Sequence, residues 1–247
     1  MIKSKLKKIL SLSIFSIYTG YKLKKVKKIR EREQKSAFKE YLSRKNITKL
    51  QIGSGENIIE GWLNTDLNFR ANIAYLDAGN DYPFENETFD FIFSEHLFEH
   101  LDENQQLIML SECFRILKKG GVLRIATPSI EFLFEIYKNP EKTENVKYIE
   151  WAMKHSPHLR EVQKIMPDRR YDHISVINHF FKAWGHKMIH NANSLISYGT
   201  QVGFINIEEK DVGKSDFKEL QNLERHFKFI PKEMNEKETM ILEFHKN

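Results

Sequence analysis

Gly53, Ser54 and Gly55 close an apolar run containing Ile47, Leu50 and Ile52, and carboxylates recur after them at Asp66 and Asp77. Two glycines around a serine let the backbone turn sharply and let a ligand approach where a Cβ would collide. An acid ending the next apolar run is placed to accept hydrogen bonds from two ribose hydroxyls. The strongly apolar stretch Thr88-Phe-Asp-Phe-Ile-Phe-Ser94 then delivers Ser94, Glu95 and His96, the last a side chain that titrates near neutrality. A glycine turn alone ends strands in many folds, so the signal lies in the ordered set.

The elements that must position these residues follow from periodicity. Lys49 to Ile52, Gly61 to Asp66, Ala74 to Asp77 and Thr88 to Ser94 read as four short strands, each ending at a candidate residue. In an open parallel sheet ligands bind beyond the carboxyl ends of the strands, so the four ends would share one crevice. Only five residues separate Gly55 from Gly61, too few for a full helix between the first two strands. Asp102-Glu-Asn-Gln105 has the form of a capping box. Leu107, Leu110, Phe114 and Leu117 continue at helical spacing, with Cys113 beside them, and the helix is expected to carry Lys118 and Lys119 in its last turn and to stop at Gly120. Val122 to Ala126 is the fifth strand, ended by Pro128. Asn193 is expected to cap a helix over 194–202, and 204–208 and 239–244 to complete the sheet.

A dinucleotide fingerprint would need a third glycine three residues after the second and an acid about twenty residues on. Position 58 is Ile, and Asp66 arrives too early. The ordered set instead resembles the class I S-adenosylmethionine-dependent methyltransferases, carried by the glycine loop, the acids Asp66 and Asp77, Pro83-Phe84 with Phe89-Asp90, and Phe114-Arg-Ile-Leu-Lys-Lys-Gly-Gly-Val-Leu-Arg-Ile-Ala-Thr-Pro128. The likeness is strong over about 47–128 and weak over 194–245. The Gly61-Trp-Leu-Asn-Thr-Asp66 segment and the short link before it are similar to a bacterial subgroup found with cell-surface polysaccharide genes. Gln51, where the family usually has an acid, and Glu56 after the second glycine depart from the family pattern.

The resemblance implies a Rossmann-like, doubly wound α/β fold with a mostly parallel seven-stranded sheet and an antiparallel last strand. It implies S-adenosyl-L-methionine as cofactor, contacted by Gly53, Ser54, Gly55, Asp66, Leu67, Asp77, Ala78, Ser94 and Glu95. His96 falls where the transferred methyl group would lie and is the expected general base for a hydroxyl acceptor; its alternative is to shape the crevice with Glu95. Asp90 and Glu99 are expected to be structural. The stretch 129–193 exceeds an ordinary connection and is the expected acceptor-facing insertion of short helices, holding six of the ten histidines. Arg169, Arg170, His179 and His186 are the expected acceptor contacts, arginine suiting phosphate or carboxylate. Tyr171 and Trp184 could stack on a sugar ring, with core packing the preferred reading for Trp184. His186 and His190 are four apart and with Asp168 or Asp172 could hold a metal, but surface histidines around a turn are ordinary and no metal is assigned.

Charge divides the chain. Residues 1–49 hold 16 of its 39 basic and 3 of its 34 acidic residues, so a basic arm precedes an acidic body, with the boundary expected at Asn46 and the methyltransferase domain over 47–247. The arm's apolar run over 9–18 is about half of what crosses a bilayer, and it lacks a small-residue cleavage site. The arm could lie on an anionic membrane through residues 1–30, pack as a helix on the body or a second subunit, or bind nucleic acid. Cys113 is the one cysteine, which suits a reducing cytoplasm. The expected activity is methyl transfer to a small-molecule or glycan acceptor, foremost a sugar hydroxyl in surface polysaccharide biosynthesis. The alternatives are RNA or protein methylation docked by the arm, and a catalytically silent cofactor-binding protein.

Overall fold

The computed structural model describes residues 38–44, 46–68, 70–165 and 172–247. Expectations about residues 1–37 and about Arg169, Arg170 and Tyr171 lie outside them. The chain divides into two units, Met1–Asn46 and Ile47–Asn247; of the first, residues 38–43 are helical.

The second unit is built on a seven-stranded sheet in the order β3-β2-β1-β4-β5-β7-β6. Strands β1 (Lys49–Ile52), β2 (Leu63–Asp66), β3 (Ala74–Tyr75), β4 (Phe89–Glu95) and β5 (Leu117–Pro128) run parallel, and β7 (Thr239–His245) is antiparallel to both β5 and β6 (Ile205–Lys210). The Rossmann-like order and the reversed last strand are as expected.

Helix α1 (Glu103–Ile116) begins at the expected capping box, the Asp102 carboxylate accepting the Gln105 N–H and the Gln105 side chain accepting the Asp102 N–H. Its C-terminal end departs from expectation. The helix stops at Ile116, and Lys118, Lys119 and Gly120 already belong to β5. The Lys118 ammonium is held by Asp90 at 2.7 Å, and the same carboxylate takes the Thr48 N–H at 2.7 Å, so these side chains bind β5 to the chain leading into β1.

The insertion after β5 is four helices, α2 (Ile130–Lys138), α3 (Thr143–His155), α4 (Pro157–Ile165) and α5 (His173–Lys182), sharing a core that includes Phe132, Tyr148, Ile149, Met153 and Phe180. Helix α6 (Ala192–Val202) is capped by Asn191 rather than Asn193, and it ends at Gly203 with φ +117°. Helix α7 (Lys232–Glu238) leads directly into β7.

The link between β1 and β2 contains no helix, and one sheet face there is covered differently. Trp62, Phe91, Phe93 and Val122 on that face pack with Leu220 and Leu223 of the 211–229 segment between β6 and β7. Arg124 of β5, fully buried, points into the same layer and holds Glu224 at 2.7 Å and Glu243 of β7 at 2.6 Å. Among the described residues no helix is long and apolar enough to cross a membrane.

Candidate functional site

The glycine loop is fixed by the side chains of the strand that follows it. Asp66 accepts the Gly55 N–H at 3.0 Å and the Asn68 N–H at 2.8 Å. The Asn64 amide accepts the Ile59 N–H at 2.9 Å and donates to the carbonyls of Ile59 and Trp62, while Thr65 donates to the Gln51 carbonyl. The Gly61-Trp-Leu-Asn-Thr-Asp66 segment thus performs the anchoring that an intervening helix would otherwise supply. Gly53 has φ +71°, and a Cβ there would stand 2.8 Å from Leu97, so only glycine fits. At Gly55, with φ +52°, an added Cβ would meet open space.

Beyond these strand ends lie polar atoms whose bonding is incomplete. The hydroxyls of Ser54 and Ser94 and Oε1 of Gln51 are buried without hydrogen-bond partners among the described residues. Ser94 sits in register with Ile52, so the ends of β1 and β4 bring the two serines to one crevice. Buried polar atoms are seldom left unpaired, and such a group in a crevice marks a place where a bound molecule completes the bonding. Asp77 accepts from the Gly79 N–H and the Asn80 amide, Ala78 is buried, and Leu67 is exposed. Glu95 does not face solvent; its carboxylate takes the backbone N–H groups of Arg225 and His226 at 2.8 to 3.0 Å, and burial raises its pKa.

His96 has a left-handed backbone, φ +47°, uncommon for a side chain of this size. Its Nδ1 lies 3.1 Å from Oε1 of Glu99, whose Oε2 takes the Thr127 hydroxyl at 3.0 Å. Burial depresses the His96 pKa, but the Glu99 hydrogen bond and charge, with Glu238 and Glu95 beyond, outweigh it and leave the value raised. Burial likewise pushes Glu99 up, yet the His96 contact holds it below the ordinary carboxylate value. Glu99, expected to be structural, is the partner that orients His96. The i, i+3 spacing in Glu95-His-Leu-Phe-Glu-His100 carries that signal.

A cavity of about 450 Å³ opens beside this pair, enclosed by α3, α5 and the segment before α7. Tyr148, Trp151, Phe180 and Trp184 supply aromatic walls, and His179 and His186 line it with His96 and Glu99. Trp184 is 55% exposed and therefore a cavity wall rather than core. Burial, aided by His158 and His186, depresses His179 to about 4, and burial also lowers His186. His190 is hydrogen-bonded to Ser194 and Gln106, and Asp172 caps α5, while Asp168 lies outside the described residues. His226 and Glu238 also line the cavity. Sequence reading missed both, because each lies more than 120 residues from His96 with no motif around it.

Residues 50–125 match the family described as a methyltransferase domain. Over that stretch the chain is similar to methyltransferase domains. Solved structures similar to it include an S-adenosylmethionine-dependent methyltransferase from Mesorhizobium loti (14% identity over 81% of this chain and 91% of that one, TM-score 0.47). Another is from Archaeoglobus fulgidus (16%, 88% and 94%, TM-score 0.44). A third is a possible histamine N-methyltransferase from Thermotoga maritima (16%, 84% and 88%, TM-score 0.44). No curated protein sequence matches the chain.

S-adenosylmethionine is the methyl donor that the names of those neighbours give for them. The crevice fits it: the two unpaired serine hydroxyls, the open space at Gly55 and the Asp66 carboxylate lie at neighbouring strand ends. Two backbone N–H groups leave part of the Asp66 acceptor capacity unused, since a carboxylate has about four lone-pair sites.

Proposed function

We propose that the chain methylates a small-molecule or glycan acceptor held in the cavity beside His96, foremost at a sugar hydroxyl in surface polysaccharide biosynthesis. The observation that carries this reading is the cavity itself, which joins aromatic walls to a histidine whose orientation a buried carboxylate fixes. Trp151 and Trp184 offer faces on which a sugar ring can stack, and among the described lining residues there is no lysine or arginine. The cavity therefore suits the uncharged portion of an acceptor, any phosphate falling to Arg169 and Arg170.

In this reading Gly53, Ser54 and Gly55 hold the amino-acid portion of the cofactor, Asp66 and Leu67 the ribose, Asp77 and Ala78 the adenine, with Ser94 and Glu95 closing the crevice. When bound, the cofactor supplies a methyl group already activated as a sulfonium. The protein's task is then alignment and proton removal. His96 keeps its Nδ1 proton on Glu99 and accepts the hydroxyl proton at Nε2. Residues 129–193 shape the acceptor side, and residues 1–46 form a basic arm that places the enzyme on the inner face of an anionic membrane, where a lipid-linked glycan would be presented.

The test is radiolabelled methyl transfer from S-adenosylmethionine to nucleotide-sugar and lipid-linked glycan fractions. Alkali-stable label in a sugar, lost in His96→Gln while cofactor binding persists, is the expected result. Label in RNA or protein instead would replace the acceptor assignment.

A further inference from the structure

We propose that His96, His226 and Glu238 form a binding site for a divalent transition ion of the zinc class, and that an ion there withdraws the His96 nitrogen from proton transfer. The second half rests on the reading of His96 as base; the first does not.

The three side chains come from separate elements: the end of β4, the short helical turn at His226–Lys228, and the last residue of α7. Each offers one ligand atom, and these atoms all lie within 4.8 Å of one another. Ligands about 2.0 to 2.2 Å from a tetrahedral ion stand about 3.3 to 3.6 Å apart. Nε2 of His226 and Oε1 of Glu238 are 3.6 Å apart, too long for a hydrogen bond and close to the spacing of two ligands on one ion. The imidazoles of His96 and His226 are stacked with centroids 3.9 Å apart, so with His96 held by Glu99 it is a turn of the His226 ring that would aim both nitrogens at one ion.

The atoms around the triad favour the same use. Nδ1 of His96 is held by Glu99, the carboxylate–histidine arrangement that supports metal ligands, and Nε2, the ligand nitrogen, meets the Thr239 hydroxyl at 3.4 Å, a long contact that an ion would displace. Oε2 of Glu238 takes the Tyr148 hydroxyl, leaving Oε1 directed toward His226. Glu238 is buried and no lysine or arginine lines the cavity among the described residues, so no fixed cation there would repel a divalent ion. Two imidazoles and one carboxylate suit zinc, cobalt or ferrous iron, whereas magnesium selects oxygen ligands. Proton acceptance and ion binding require the same lone pair on His96 and so exclude each other.

The full-length chain, freed of metal by a chelator, is titrated with Zn²⁺ by calorimetry and with Co²⁺ by visible absorption. One saturable equivalent with tetrahedral-type Co²⁺ bands is expected, weakened at least tenfold in His226→Ala and 10- to 100-fold in Glu99→Gln. Circular dichroism checks that each variant is folded, and Glu238→Gln replaces His226→Ala if that variant does not fold. Absence of saturable binding, or binding lost in His186→Ala but kept in His226→Ala, overturns the site. Inhibition of methyl transfer by Zn²⁺ and its relief by chelator are expected; Zn²⁺ binding that leaves transfer unchanged overturns the competition. Cofactor binding, titrated separately, reports on the methyltransferase reading without reference to the ion.

Discussion

The His96 imidazole is buried beside a carboxylate that raises its pKa, and base action requires it to be neutral. In metal-free enzyme the transfer rate should therefore rise with pH through a midpoint above the ordinary histidine value of about 6.5. Glu99→Gln removes the stabilising charge, so the rising limb should move to lower pH while the maximal rate falls; an unmoved limb would assign it to another group. Asp66 poses a different question, since it shapes the glycine loop as well as facing the crevice. Asp66→Asn keeps an acceptor for one N–H group and Asp66→Ala keeps none. Cofactor affinity should fall in the order wild type, Asn, Ala, by roughly tenfold or more for Ala, a hydrogen bond to a charged group being worth about 1.5 to 3 kcal/mol. Equal affinities in calorimetry would remove Asp66 from the site.

At the scale of elements, two polar ties hold the sheet where packing alone would leave it adjustable. Arg124 joins β5, β7 and the 211–229 segment through two buried carboxylates, and removing one partner of a buried ionic cluster strands the other charges. Arg124→Met should cost about 3 kcal/mol or more in denaturant unfolding; a loss under 1 kcal/mol would mean that both glutamates can reach water. Asp90 ties Thr48 to Lys118, and these contacts outweigh its partial burial to hold its pKa down. A carboxyl lowered by folding contributes stability above its unfolded value of about 3.9 and loses it as pH falls through the folded value. Asp90→Asn should therefore lower the melting temperature at pH 7 and have little effect at pH 2 to 3. Because Asp90 is near the surface, the loss at pH 7 is expected to be modest.

For the whole molecule, the strand order 3-2-1-4-5-7-6 places the ends of β1, β2 and β4 together, and the insertion after β5 closes over the end of β4. The crevice proposed for the cofactor and the cavity proposed for the acceptor thus meet at Ser94 to His96. The purified chain should bind S-adenosylmethionine and its demethylated product at micromolar levels and NAD not at all. Binding of NAD alone would refute the cofactor assignment.

The glycine loop, the terminal acids and the short β1-β2 link were legible in the sequence because local rules set them: a positive φ, a strand period and a chain too short for a helix. The end of α1 was misread, since Lys118 and Gly120 follow sheet pairing and an Asp90 contact that helical periodicity does not record. Trp184 was misread because burial depends on neighbours from α4 and α5. His226, Glu238 and Arg124 acquired their roles only on folding, as contacts over 100 or more residues depend on how chain segments are brought together. Sequence by itself determined the strands and the glycine loop, the candidate residues from Gly53 to His96 lying within 50 positions of one another. Tertiary structure decided the cavity beside His96, because its walls come from helices whose apolar faces carry no mark of which partner they will meet.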